Sequence, residues 1–344
     1  MTTQPPIVLC PVDFSDANRA SIRYTVAIAE HFGAKVIFMT VEDPLLTEAI
    51  DLGTGVVWDP AETRNELRRF VEKVVPATPG AGVLFEFEIA VGKPAEQILR
   101  VAVASHVDLI VMGTHGLTGM RKLFFGSTTE RVLRETTVPV LATPPVDPGM
   151  LHLSDARAVV RRILVPVDLS GHSLAQVQIA GALSEALRVP LIAAHVVEPV
   201  RSPLAERLHL PHVELERRTR AEDALEELLA TVPRRLHPEA LVAYGDPAEE
   251  IAKIARDRQA GLIVIGLHAS PLVGPRMGSV TYRVLCLAPA LVLALPPAAQ
   301  KTGDRRQETE DGRQEVDDGR HEIGGRRQKT EGSKQGVRDK AYVI

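Results

Sequence analysis

The stretch DLIVMGTHG, residues 108–116, joins a run of large apolar residues to a turn that contains two glycines. Such a run is typical of a strand that is buried on both faces of a parallel sheet. The stretch recurs as GLIVIGLHA at residues 261–269, so the chain contains the same strand and turn twice. An internal duplication is therefore the first prediction from the sequence.

Four further pairs of segments repeat in the same order, with offsets that shorten from 155 to 152 residues along the chain. The pairs are VLCPVDFS (8–15) with ILVPVDLS (163–170), VIFMTVEDP (36–44) with LIAAHVVEP (191–199), VGKPAEQI (91–98) with YGDPAEEI (244–251), and GSTTERVL (126–133) with GSVTYRVL (278–285). The shrinking offset indicates small deletions in the loops of the second copy.

Within each copy, short apolar runs alternate with longer segments of helical periodicity. In residues 20–32 the apolar side chains recur on one helical face. Ser15 or Asp16 is expected to cap this helix, and Gly33 is expected to end it. The strands expected in the first copy are Ile7–Val12, Lys35–Val41, Val83–Val91, Asp108–Met112 and Val138–Ala142.

The alternation of strands and helices predicts an α/β fold with two doubly wound, Rossmann-like domains, each with a five-stranded parallel sheet. The domains are expected at 1–146 and 160–298, joined by a linker that contains prolines. Residues 300–344 form an imperfect seven-residue repeat with one weak apolar position per unit, whereas a coiled coil needs two. We expect a disordered C-terminal tail, with an induced helix or a binding arm as the alternative.

Composition excludes several classes of protein. Aromatic residues make up only 4% of the chain, so Val, Leu, Ile and Ala must build the cores. A net charge of −4 gives no long-range attraction to nucleic acid or to an anionic membrane. Cys10 and Cys286 each lie in an apolar stretch and are interpreted as small buried thiols, and the histidines lack metal-ligand spacing. Without a signal sequence or a long apolar run, the protein is expected to be cytoplasmic and to have no membrane partner.

The turn after residue 112 has the composition of a phosphate-binding loop. Its pattern is G-x2-G-x9-G-S, formed by Gly113, Gly116, Gly126 and Ser127. Glycine lets backbone N–H groups approach a phosphate without a Cβ in the way, and a helix N-terminus favours negative charge. A turn with surface glycines alone is the alternative interpretation of this spacing.

Asp13 follows the first predicted strand. Ligands of open α/β sheets lie beyond the carboxyl ends of the strands, where the strand order reverses. If the first and fourth strands are neighbours, Asp13 faces the glycine loop and can accept hydrogen bonds from ribose hydroxyls. Val41, at the end of the second strand, would offer its backbone to an adenine edge. A helix-capping or surface role is the alternative for Asp13.

The segments PVDFS, TVED, GTHGLTGMRKLFFGSTTERVL and VPVLATP together resemble the universal stress protein family across nearly the whole first copy. In that family the glycine loop is the ATP-binding signature, so the resemblance implies ATP, with or without Mg²⁺, as the cofactor. The nucleotide-binding residues that it implies, together with neighbours of the loop, are Pro11, Asp13, Val41, Met112, Gly113, His115, Gly116, Gly126, Ser127 and Thr128.

The second copy departs from this signature in two ways. Ala269 stands where the first copy has its second glycine, and the loop is one residue shorter. Pro271 and Pro275 also remove backbone N–H donors. We expect weaker ATP binding, AMP-like binding or none here. The residues of this weaker second site are Asp168, Val196, Gly266, Gly278, Ser279 and Val280.

The resemblance favours a regulatory ATP-binding protein of stress adaptation, acting through a protein partner that the sequence does not identify. A slow ATPase or nucleotide-processing enzyme is one alternative, although the sequence has no G-x4-G-K-[ST] motif. A nucleotide-independent interaction scaffold is the other. By resemblance to family homodimers, Val138–Ala142 is expected to pair with Ala290–Ala294 inside one chain, and two chains can then associate as a homodimer.

Overall fold

A computed structural model gives the fold of most of the chain. It describes residues 5–45, 58–75, 83–114, 126–144, 159–199, 211–267, 269–270, 274–275 and 277–297. The tail at 300–344 lies outside these residues, so its expected disorder stays a prediction.

The first copy contains five strands and four helices in the described ranges. The strands are β1 (Ile7–Pro11), β2 (Lys35–Glu42), β3 (Phe85–Val91), β4 (Leu109–Gly113) and β5 (Val140–Thr143). The helices are α1 (Asn18–Phe32), α2 (Pro60–Val74), α3 (Pro94–Ala104) and α4 (Ser127–Glu135). The five predicted strands are confirmed, with ends that shift by two residues at most.

The second copy repeats this order, and its described residues also include a short hairpin. Its strands are β6 (Ile163–Pro166), β7 (Leu191–Val197), β8 (Glu239–Tyr244), β9 (Leu262–Gly266), β10 (Ala269–Ser270), β11 (Gly274–Pro275) and β12 (Leu291–Leu295). Its helices are α5 (Ser173–Leu187), α6 (Pro211–Leu229), α7 (Pro247–Asp257) and α8 (Ser279–Leu287).

The ends of α1 differ in how well the sequence predicts them. Gly33 ends the helix with φ +63°, as expected, because a left-handed residue there suits glycine. The expected cap by Ser15 or Asp16 is wrong: Ala17 is the N-cap residue and makes no side-chain cap bond. The Ser15 hydroxyl donates instead to Asp13, and Asp16 pairs with Arg19.

The ten long strands form one continuous sheet in the order β3-β2-β1-β4-β5-β12-β9-β6-β7-β8. Within each copy the five strands run parallel, as predicted. The two copies meet at β5 and β12, which pair antiparallel, with Ala142 opposite Val292 and Val140 opposite Ala294. The expected pairing inside the chain is therefore confirmed. It joins the two five-stranded halves into a single sheet, because each edge strand satisfies the backbone groups of the other.

Helices cover both faces of this sheet. Residues of α1, α2, α5 and α6 pack on one face around Phe38, Val165 and Leu225. Residues of α3, α4, α7 and α8 pack on the other face around Ile110, Ile263 and Val284. In the parts of the chain that the structure describes, no helix is both long enough and apolar enough to cross a membrane.

Candidate functional site

An open cleft of about 480 Å³ lies at the carboxyl ends of the first copy's strands. In this half β1 lies between β2 and β4, so the strand order reverses beside β1. Because the helices after β1 and after β4 lie on opposite faces, their ends leave a crevice at this point. The described lining residues are Pro11, Val12, Asp13, Phe14, Asn18, Met39, Thr40, Val41, Glu42, Pro94, Ile98, Met112, Gly113, Gly126, Ser127, Thr128 and Thr129.

Asp13 is held in place by the turn that follows β1. Its Oδ1 accepts hydrogen bonds from the Ser15 amide at 3.0 Å and from the Ser15 hydroxyl at 2.6 Å. Phe14 between them has φ +59°, an unusual conformation for a bulky residue. The Asp13 side chain is exposed, and among the described residues Oδ2 has no hydrogen-bond partner. The turn therefore presents a carboxylate oxygen to the cleft.

Asn18 connects this turn to the end of β1. Its Oδ1 accepts from the Asp13 amide at 3.2 Å, and its Nδ2 donates to the Pro11 carbonyl at 3.2 Å. The side chain is buried, so both of its polar ends are satisfied within the protein. Asn18 is not among the residues predicted from the sequence, although it stands five residues after Asp13 at the first position of α1.

The N-terminus of α4 opens into the same cleft. Gly126 is its N-cap residue, with φ −58° and no side-chain cap bond. The first amides of this helix therefore lack the usual side-chain acceptor, and the positive end of the helix dipole faces the cleft. The arrangement is suited to an anion.

Thr129 fixes α4 against β4. Its hydroxyl donates to the Gly113 carbonyl at 2.9 Å, and the Gly126 amide donates to the Thr114 carbonyl at 3.2 Å. These two bonds keep the helix N-terminus beside the end of the strand. Thr129 is not among the residues predicted from the sequence, yet the repeat indicates it, because Thr281 occupies the matching position and its hydroxyl donates to the Gly266 carbonyl at 3.2 Å.

Glu42 brings a second carboxylate to the cleft that sequence reasoning missed. It ends β2 and is half-buried. Burial, and then the negative charge of Glu66 on α2, raise the pKa of Glu42 above its ordinary value. Its position directly after Val41 in TVED was the only signal in the sequence.

The predicted residues of the first copy come together in this cleft as far as the structure describes them. Pro11, Asp13, Val41, Met112, Gly113, Gly126, Ser127 and Thr128 all line it. His115 and Gly116 lie outside the described residues. The predicted adjacency of the first and fourth strands is confirmed, because β1 pairs with β4 through Val8 opposite Leu109.

A second cleft of about 430 Å³ occupies the equivalent place in the other half. All six residues predicted for it line its wall: Asp168, Val196, Gly266, Gly278, Ser279 and Val280. The turn after β6 repeats that of the first copy. Asp168 Oδ1 accepts from the Ser170 amide at 2.9 Å and from the Ser173 hydroxyl at 3.1 Å, and Leu169 has φ +61°.

The two clefts differ in their side chains. His195 stands where the first copy has Thr40, and its Nδ1 lies 2.9 Å from the Val167 carbonyl. Gln176 stands where the first copy has Ser21, and its Nε2 donates to the carbonyls of Pro166 at 2.7 Å and Val264 at 2.9 Å. Arg217 of α6 also lines this cleft. None of these three residues is predicted from the sequence.

The loop of the second copy is partly paired with itself. Ala269 lies opposite Pro275, and Ser270 lies opposite Gly274, in the antiparallel hairpin β10–β11. Backbone groups that pair within a hairpin are not available to a phosphate. Within the described ranges, no group of three His, Cys, Asp or Glu side chains is arranged to hold a metal ion.

Comparison with known proteins gives consistent matches. A model of the universal stress protein family matches residues 6–144 and again 160–296. A universal stress protein of Methanocaldococcus jannaschii is 31% identical over 136 residues, which cover 39% of this chain and 79% of the relative. A universal stress protein of Mycolicibacterium smegmatis is 24% identical over 320 residues, covering 84% of this chain and 97% of the relative.

The fold also matches solved structures. The crystal structure of a universal stress protein from Archaeoglobus fulgidus aligns over 86% of this chain and 99% of its own, with a TM-score of 0.57 and 19% identity. At this identity the likeness concerns the fold. It covers both copies of the repeat.

Proposed function

The chain belongs to the universal stress protein family, and on that premise we propose that it is a regulatory protein that binds an adenine nucleotide, with ATP held mainly in the cleft of the first copy. The observation that carries the proposal is one cleft lined by both Asp13 and the glycine-capped N-terminus of α4. A carboxylate suits ribose hydroxyls, and a helix N-terminus suits phosphates.

The orientation of the nucleotide follows from these charges. Asp13 and Glu42 would repel phosphate, so the phosphates belong beside Gly126 and Ser127. The nucleoside then lies between the ends of β1 and β2, where Val41 and Met39 supply apolar surface. Thr129 contributes by holding the helix N-terminus at the end of β4.

Gly278 in the second cleft supports contact between its backbone and a bound ligand. Its φ is −62°, which any residue adopts, and apart from its two chain neighbours no atom of the described residues lies within 4 Å of the position that a Cβ would take. Within the described chain, neither backbone conformation nor packing requires glycine there. A phosphate that contacts the backbone would require it.

The second site is proposed to bind more weakly or to prefer a shorter nucleotide such as AMP. The hairpin β10–β11 ties up backbone of the loop, and Ala269 replaces a glycine of the signature. Asp168 and the helix start at Gly278 keep the nucleoside and first-phosphate features. The two halves would therefore respond to different nucleotides across one continuous sheet.

The test is to denature freshly purified protein and to identify and quantify any released nucleotide by chromatography. Calorimetry on nucleotide-free protein should then give about one tight ATP site per chain. AMP and GTP serve as competitors, with Mg²⁺ or EDTA present. No heat change and no thermal stabilisation at millimolar ATP would overturn the proposal, since ligand at 100 times its Kd stabilises by about 2.7 kcal/mol. Sustained release of phosphate by pure protein would instead favour a slow ATPase.

A further inference from the structure

A groove lined mostly by aliphatic side chains crosses the junction between the two copies. It lies between α1 and α5, above β5 and β12, and encloses about 100 Å³. Its floor contains Leu141 and Leu293, which are buried, and its rim contains Ile28, Phe32 and Leu187, which are half-buried. The opposite face of the same two strands is covered by α4 and α8. Among the described residues, the groove is thus a gap in only one of the two helical layers.

The linker between the copies ends in this groove. Val159 and Val160, the first described residues after it, both line the groove wall. The Val159 carbonyl lies against Gly261, where an added Cβ would stand only 1.8 Å from that oxygen. Close packing therefore fixes the exit of the linker beside Gly261, directly before β9.

The linker is longer than its path requires. The strand registers align Thr143, at the end of β5, with Leu291, Leu262 and Ile163 across the sheet. The last residue of β5 and the first residue of β6 therefore lie at the same end of the sheet. Three strand spacings separate these points, about 14 Å. The 14 residues 145–158 can span roughly 46 Å. The linker is therefore longer than the connection requires, and part of it is available for another contact.

The apolar residues of the linker suit the groove. The stretch Met150-Leu151-His152-Leu153 places two leucines at alternate positions, so an extended backbone turns both to one side and His152 to the other. Leu151 is eight residues from Val159, and eight residues can span roughly 26 Å. This length is ample for a groove that Val159 itself lines.

We propose that the linker segment Met150–Leu153 docks in the groove between α1 and α5, with Leu151 and Leu153 against its leucine floor, and so fastens the two copies together on the face opposite α4 and α8. In this arrangement the partner of α1 and α5 is the chain's own linker, which is covalently attached to both copies. The segment would then bury apolar side chains that otherwise face water.

A cysteine cross-link in the full chain tests this placement. In a Cys286→Ala background, Leu151→Cys is combined with Leu187→Cys on the groove rim or with Ala186→Cys, which is exposed and does not line the groove. Cys10 can stay, because it is fully buried and burial raises its pKa to about 12. Docking predicts an intramolecular disulfide that forms at least about tenfold faster in the Leu187 pair, through a higher effective concentration. Equal rates would overturn the proposal.

A second measurement removes the dependence on introduced thiols. Leu151→Ser with Leu153→Ser should increase binding of a hydrophobic dye and speed tryptic cleavage at Arg157, whereas His152→Ser should change neither. No difference between these variants would count against docking. If Leu187→Ser abolishes a dimer and the linker variant does not, the groove binds a second copy of the chain. If denaturation releases an apolar molecule, the groove binds a small ligand. Either result would overturn the proposal.

Discussion

Leu141 of β5 and Leu293 of β12 stand directly opposite each other at the centre of the antiparallel pairing that joins the two copies. Both side chains are buried, with 5% and 4% exposure, and both reach the same groove between α1 and α5. The two copies therefore share one sheet and part of one core, so we expect their unfolding to be coupled.

Leu141→Ala should destabilise the whole described fold, and not the first copy alone. A buried leucine truncated to alanine costs about 2–5 kcal/mol, because transfer free energy is lost and a cavity is left. Urea unfolding followed by fluorescence of Trp58 and by circular dichroism should give one shifted transition. The control is Leu84→Ala, at a side chain that is 66% exposed, with an expected change within about 0.5 kcal/mol. Two separated transitions would contradict the coupling.

Gly126→Ala should weaken ATP binding without unfolding the protein. The residue has φ −58°, so alanine fits the backbone, but its Cβ would stand where we propose that phosphate approaches. We expect the Kd for ATP to rise at least about tenfold, which corresponds to 1.4 kcal/mol, in calorimetry. The matched variant is Gly278→Ala in the second copy, at φ −62°. It should leave the tight site unchanged, and equal losses in both variants would show that the sites are equivalent.

Asp13→Asn should reduce affinity for ATP by roughly five- to tenfold, since a hydrogen bond to a charged acceptor contributes roughly 1 kcal/mol more than one to a neutral acceptor. An asparagine oxygen can still accept the Ser15 amide, so the turn after β1 should survive. Asp168→Asn is the control for the second copy. Unchanged ATP affinity in Asp13→Asn would remove this carboxylate from the binding site.

Glu42→Gln should stabilise the nucleotide-free protein near neutral pH. Burial and Glu66 raise the folded-state pKa of Glu42, so the folded state holds its proton more tightly than the unfolded state does. Stability is therefore lost as pH rises from about 4.5, the unfolded value, through the raised folded pKa. Because the half-buried side chain keeps contact with solvent, which screens its charge, the gain should be roughly 0.5 kcal/mol or less.

Urea titrations of wild type and Glu42→Gln at several pH values check this sign. The difference between them should fade below pH 4.5, where glutamate is neutral in both states. Glu66→Gln should give a smaller gain, since burial and not Glu66 is the larger cause. A difference that grows on acidification would contradict the assignment.

Local rules explain which parts of the fold were predictable. Gly33 ended α1 as expected because left-handed backbone is a property of one residue. The N-cap of α1 was not predicted correctly, because the Ser15 hydroxyl can bond either to the helix or to Asp13. The turn around Phe14 directs it to Asp13. The pairing of β5 with β12 followed from resemblance to a family and not from the strands' own residues.

The residues of the candidate site also divide into those that the sequence predicts and those that only the structure identifies. Asp13 and Gly126 were found because a strand end, a helix start and a glycine spacing are all readable along the chain. Thr129 and Asn18 were missed, since each acts through a bond to a carbonyl on another element, Gly113 or Pro11. His195 and Gln176 were missed for the same reason.

By itself the sequence determined the duplication, the order of strands and helices, and the two strand ends where a nucleotide site could form, because periodicity and backbone preferences act over a few residues. The tertiary structure alone decided how the carboxylate of Glu42 is partly buried near Glu66, how Thr129 fixes α4 to β4, and how closely Leu141 meets Leu293. These features depend on distances between residues that are 16 to 152 positions apart. Only packing of the whole sheet sets such distances.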